Sequence, residues 1–134
     1  MIKPYIFFNG NCEEAFQLYA KAFDGEIIHM QKYGEMPQNI DFPISEEEKN
    51  LVLHAQVSLK EGGVLMGADV ARPLEKGTNI NFSLEMTSEE AARKAWNLLK
   101  EGGQVLMELE PSFFAKLHGS LQDKYGMIWL FSVS

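Results

Sequence analysis

Apolar residues along this chain recur at two spacings, every second residue and every third to fourth, and the switches between them predict the elements. Residues 4–9 alternate like a strand. Phe16, Tyr19, Ala20 and Phe23 then fall at i, i+3, i+4 and i+7, which predicts one apolar stripe along a helix. Asn11 is placed to cap that helix with Glu14 closing a capping box, and Gly25 to stop it in the left-handed conformation. Strands are predicted over 26–33, 51–60 and 64–69, the last two joined by a tight turn at Glu61-Gly62-Gly63. The plan then repeats. A strand over 79–85 leads to a cap at Thr87 with Glu90, and Ala92, Ala95, Trp96 and Leu99 make the second stripe. Gly102 and Gly103 end that helix, and strands follow over 104–109, 113–121 and 127–133.

The two runs FFNGNCEEAFQLYAKAFDG (7–25) and FSLEMTSEEAARKAWNLLKEG (82–102) are therefore copies of one plan: strand, helix, then three strands. The expected class is α+β, with two βαβββ modules whose helices cover one face of a mixed sheet. Each module is too small to bury its sheet alone, so one domain over 1–134 is expected. Module 1 covers about 1–71, a linker about 72–78, and module 2 about 79–134. The segment GEMPQNIDFPISEEEKN (34–50) reads as a long loop, broken by Gly34 and two prolines, with Ser45 and Glu48 placed to cap a single helical turn.

Alternation also assigns faces. Ile80, Phe82, Leu84 and Met86 share one side of their strand, as do Leu51, Leu53, Ala55, Val57 and Leu59 of theirs. In the first strand Ile6 and Phe8 turn toward the helix, leaving Tyr5 and Phe7 on the other side. Exposed aromatic pairs need a reason. Tyr5, Phe7, His54, Gln56, Asn81 and Trp129 are accordingly the candidate lining of a cup for a small polar-aromatic ligand.

Charge narrows the class of partner. Twelve Lys and Arg against 19 Asp and Glu give a formal net charge of −7, which repels nucleic acid and anionic membranes. The single cysteine, Cys12, excludes an internal disulfide and fits a reducing compartment. No apolar run approaches the roughly 20 residues of a membrane helix, and MIKPYIFF does not read as a secretion signal. A cytoplasmic protein is expected.

The segments PYIFFNGNCEEAFQLYAKAF (4–23), HAQVSL (54–59), LMGADV (65–70), GTNINFSL (77–84), EGGQVLMELE (101–110) and HGSLQDKYGMIWLF (118–131) resemble the PhnB-like branch of the vicinal oxygen chelate superfamily. That superfamily includes glyoxalase I, extradiol dioxygenases and the bleomycin and fosfomycin resistance proteins. The branch carries a 3-demethylubiquinone 3-methyltransferase domain name. The resemblance implies a strongly curved sheet built from two modules, and a homodimer. It also implies a divalent cation held by His and Glu from both modules. Here, however, the matching strands carry Pro4 or Tyr5, Met66, Asn79 or Asn81, and Trp129 or Leu130, and three or four N or O donors are needed. No metal is expected at the inherited place, and no other cofactor. The Gly62-Gly63 and Gly102-Gly103 pairs read as a hairpin turn and a helix stop rather than as a loop for a methyl-donor cofactor.

Two residues remain as candidate chemistry. His54 and Asp69 lie on consecutive strands, where a carboxylate can orient a histidine as general base. Cys12 reads as a small filler, and His29 and His118 as surface or turn residues. The expected function is binding or conversion of a small molecule without the usual metal. The alternatives are a resistance-type sequestering protein, whose net acidity suits cationic drugs, and a metal enzyme with atypical ligands such as His54 and Asp69.

Overall fold

The strands form two four-stranded ladders with one connectivity written twice. The computed structural model describes residues 1–37 and 43–134, so the middle of the 34–50 segment lies outside the described residues. The elements are β1 (Tyr5–Phe8), α1 (Cys12–Ala22), β2 (Glu26–Lys32), β3 (Val52–Ser58), β4 (Val64–Asp69), β5 (Phe82–Met86), α2 (Glu89–Lys100), β6 (Gln104–Glu110), β7 (Leu117–Gln122) and β8 (Ile128–Val133). The sheet orders are β1-β4-β3-β2 and β5-β8-β7-β6. In each, the first strand runs parallel to the fourth and the remaining pairs are antiparallel. Two compact units result: 1–20 with 24–74, and 75–134 with the short piece 21–23.

The helices sit on their sheets through the predicted stripes, with one shift. In α1 the buried side chains are Cys12, Ala15, Phe16 and Tyr19, followed by Ala22 and Phe23; Ala20 is only half-buried. Phe16 packs edge-on against Phe8 of β1, and a Cβ on Gly67 of β4 would meet its ring at 2.9 Å, so glycine is required there. In α2 the stripe Ala92, Ala95, Trp96 and Leu99 is buried as expected, with Trp96 edge-on to Phe131 of β8.

The helix ends differ from expectation in two places, and α1 gains a partner from outside its own segment. Ser88, not Thr87, caps α2: its hydroxyl accepts from Ala91 N–H at 3.1 Å, which puts Ala91 rather than Glu90 at the position that would close a box. At the start of α1 the backbone N–H of Cys12 donates to Oδ1 of Asp69, a carboxylate supplied by β4. After α1 the left-handed residue is Asp24, at φ +48°, not Gly25. Gly25 is needed for space, since a Cβ there would run into the carbonyl oxygen of Ser58. Gly102 and Gly103 repeat this pair 78 residues later: Gly102 takes the positive φ, and a Cβ on Gly103 would strike the carbonyl oxygen of Gln122.

The hairpin between β3 and β4 forms as expected, with Gly62 and Gly63 both at positive φ. Ser45 also caps Glu48, whose backbone N–H donates to its hydroxyl. The expected strand over 79–85 begins only at Phe82, so Ile80 is exposed and Asn81 precedes the ladder, its amide donating to the Thr78 carbonyl.

Candidate functional site

Two bulges decide which side chains meet on the free face of the first sheet. Ile27 faces Val57 across the β2–β3 ladder, but His29, two residues on, faces Gln56, so Ile28 is an extra residue in β2. The second shift inserts Leu53 into β3, between His54, opposite Gln31, and Val52, opposite Lys32. A bulge resets the two-residue alternation. It puts His29 on the same side as Gln56 and His54, and it explains why Val52 is buried while Leu53 is not. Simple alternation could not find His29 beside His54: it is a surface residue, as expected, but it lies in a strand and not in a turn.

The rung carrying the site runs His29, Gln56, Met66, Tyr5 across β2, β3, β4 and β1. The His29 and His54 rings lie 5.2 Å apart. Tyr5 Oη is 2.9 Å from His54 Nδ1, and Gln56 Nε2 is 3.1 Å from His54 Nε2 and 3.3 Å from Met66 Sδ. With the Gln56 amide nitrogen donating, as its contact with Met66 Sδ also has it, His54 Nε2 presents its lone pair there. The proton of a neutral His54 is thereby assigned to Nδ1, which donates to Tyr5 Oη. In that tautomer the Tyr5 O–H has no acceptor among the described residues. Phe7 completes the face, edge-on to Tyr5 at 5.6 Å, with the Arg72 guanidinium 5.2 Å above its ring. Tyr5 and Phe7 are each 43 % exposed.

The electrostatics agree with this assignment. Burial, and then the neighbouring His29, push the His54 pKa down from 6.5, which favours the neutral ring that the Gln56 contact requires. Burial, followed by Cys12 and Tyr33, pushes the Tyr5 phenol up from 10.0, so it stays a donor. The His54 shift sets a direction for stability. The unfolded chain takes up the proton first as pH falls below 6.5, so stability is full above that value and declines as pH drops toward the lower folded pKa. Thermal unfolding should show this slope, and His54→Gln should flatten it.

The expected His54–Asp69 pair does not form. Asp69 is 2 % exposed, and its carboxylate accepts backbone N–H groups from Gly10, Cys12 and Val52 at 2.9–3.0 Å. Asp69 ties the β1–α1 turn and the start of β3 to the end of β4; it orients no base. Both nitrogens of His54 are also occupied, so His54 positions Tyr5 rather than offering a lone pair to a substrate. Cys12 is fully buried, and burial together with Asp69 and Glu13 pushes its thiol up to about 12, as suits a filler.

Trp129 corrects the expected lining. It has no exposed surface; its indole N–H donates to Asp123 Oδ2 at 2.9 Å, and its ring packs on Phe82 and Phe23. It is core of the second unit. Asn81 belongs to that unit too and lies before β5. His118 is a strand residue of β7 with Phe114 against its ring at 4.9 Å, not a turn residue. Among the described residues no three His, Cys, Asp or Glu side chains converge as a metal site needs. With Asp69 bound to backbone and only His29 and His54 adjacent, the donors do not fit the cation cage that the superfamily implies.

Residues 1–132 match the family described as 3-demethylubiquinone-9 3-methyltransferase. Protein PA1353 from Pseudomonas aeruginosa is 32% identical in sequence, covering 100% of this chain and 97% of its own, with a TM-score of 0.85. The PhnB protein from Bacillus cereus is 26% identical, covering 99% and 98%, with a TM-score of 0.81. The fosfomycin resistance protein FosX from Listeria monocytogenes shares the fold, at 9% identity over 100% of this chain and 92% of its own, with a TM-score of 0.67.

Proposed function

This chain belongs to the 3-demethylubiquinone-9 3-methyltransferase family, the PhnB-like branch of the vicinal oxygen chelate fold, and from that premise we propose that it binds a small planar molecule on the free face of its first sheet. Tyr5 is the group that touches the ligand, donating its O–H to a ligand acceptor while the ligand's flat face lies on Phe7. His54 and Gln56 are positioning residues that fix the phenol. The observation that carries this reading is the hydrogen-bond chain from Met66 through Gln56 and His54 to Tyr5, which ends in an unused donor on an exposed aromatic face. Methyl transfer is not part of the reading: the glycine pairs serve a hairpin and a helix stop, and His54 holds no lone pair free for a base's work.

Benzamide, a flat neutral acceptor, tests the site. Its titration should shift the Tyr5 and His54 side-chain resonances. Tyr5→Phe should weaken binding by about tenfold, the worth of one hydrogen bond in a partly desolvated site. His54→Ala should weaken it less, because the phenol is loosened rather than removed. Unchanged affinity in Tyr5→Phe would refute the reading. The protein acts as a homodimer in the cytoplasm under this proposal; sedimentation equilibrium checks the first part.

A further inference from the structure

Around Tyr5 and Phe7 the first sheet is less acidic than the chain as a whole. Its central rung is His29, Gln56, Met66 and Tyr5, and the next row carries Gln31 and His54 on one side and Phe7 beside Ala68 on the other. None of these is acidic, in a chain with 19 Asp and Glu; the row on the far side of the rung from Phe7 brings in Glu26, opposite Ser58. Arg72 stands at the end of this face over Phe7, is exposed, and makes no ion pair among the described residues. The carbonyl of Arg72 accepts from the Asn9 amide at 2.8 Å, and so does the carbonyl of Val70 at 2.9 Å, which anchors the backbone that carries the guanidinium.

The second unit provides an internal control. Its β5–β8 pair repeats the β1–β4 pair, so Ser83 stands where Tyr5 does and Glu85 where Phe7 does, each 78 residues later. His29 is replaced by Met107, beyond an equivalent bulge at Leu106. Duplication preserved the ladder in both units, while the Tyr5–Phe7 aromatic pair belongs to the first alone, and Glu85 puts a carboxylate where Phe7 stands.

We infer that the ligand of this face is a planar carboxylate, an aromatic or conjugated acid, whose carboxylate is held by Arg72 and whose ring lies along the Tyr5–Phe7 aromatic pair. A guanidinium presents paired N–H donors that match a carboxylate fork, and Arg72 and Tyr5 both border the Phe7 ring. This rests on the site proposed above, but its own test is separable. Benzoate and benzamide differ in charge and little in shape, so they divide the class from the site.

In the native protein benzoate should bind more tightly than benzamide, and its affinity should fall with added salt. Arg72→Gln should weaken benzoate by about tenfold or more, and leave benzamide nearly unchanged. Arg72→Lys should recover only part of the loss. Arg72 is exposed and its side chain stacks on Phe7, so these variants should unfold at the native temperature, which thermal melting verifies. Equal affinity for the two probes, or benzoate binding indifferent to Arg72→Gln, would overturn the carboxylate assignment while a Tyr5→Phe effect on benzamide still upheld the site. If neither probe moved the Tyr5 and His54 resonances at millimolar concentration, both proposals would fall.

Discussion

Asp69→Ala should destabilise the protein by about 4 kcal/mol in chemical denaturation, the loss of charge-assisted bonds to three backbone N–H groups, at least two of them left buried without acceptors. Oδ1 accepts from Gly10 and Cys12 and Oδ2 from Val52, so both oxygens are committed. Asp69→Asn distinguishes this role from simple packing. Its amide nitrogen must replace one oxygen and would point a donor at a donor, so about 2 kcal/mol should still be lost. Native stabilities of small domains are roughly 5–15 kcal/mol, and the alanine variant would be marginal. If Asp69 instead oriented His54 as a base, Asp69→Asn would move the His54 titration and leave stability nearly intact.

Trp129→Ala should cost about 4–5 kcal/mol, the upper range for removing a fully buried aromatic side chain. The indole fills the space between Phe82 and Phe23 and also satisfies Asp123, whose Oδ1 already serves the backbone N–H groups of Tyr125 and Met127. Trp129→Phe keeps most of the volume and should lose about 2 kcal/mol, chiefly because the buried Asp123 carboxylate loses the indole N–H bond. Neither substitution should change the affinity ratio between benzoate and benzamide. A change in that ratio would return Trp129 to the binding face.

Net acidity and local charge lead to opposite partners for this protein. An overall charge of −7 favours cations at long range, whereas the groups within reach of a ligand on the first sheet are an arginine, two histidines and a phenol. At contact distance the nearby groups decide, because surrounding salt screens the distant ones.

The sequence by itself determined the repeating plan. Helix stripes, turn glycines and strand alternation are local properties, and α2 buries the four residues that its spacing picks out. Tyr5, Phe7, His54 and Gln56 were legible as one face because alternation holds along β1 and along β3 from His54 onward. Only the tertiary structure decided the rest. A bulge adds one residue with no fixed signature, and that single residue carried His29 to the side of His54. Asp69 and Trp129 are a carboxylate and an indole whose composition fits a site as well as a core. What separates the cases is where their partners come from, and the backbone N–H groups that hold Asp69 lie 17, 57 and 59 residues away. Such pairings are set by the closing of the sheet, since a buried polar group takes whichever partner the fold brings within reach.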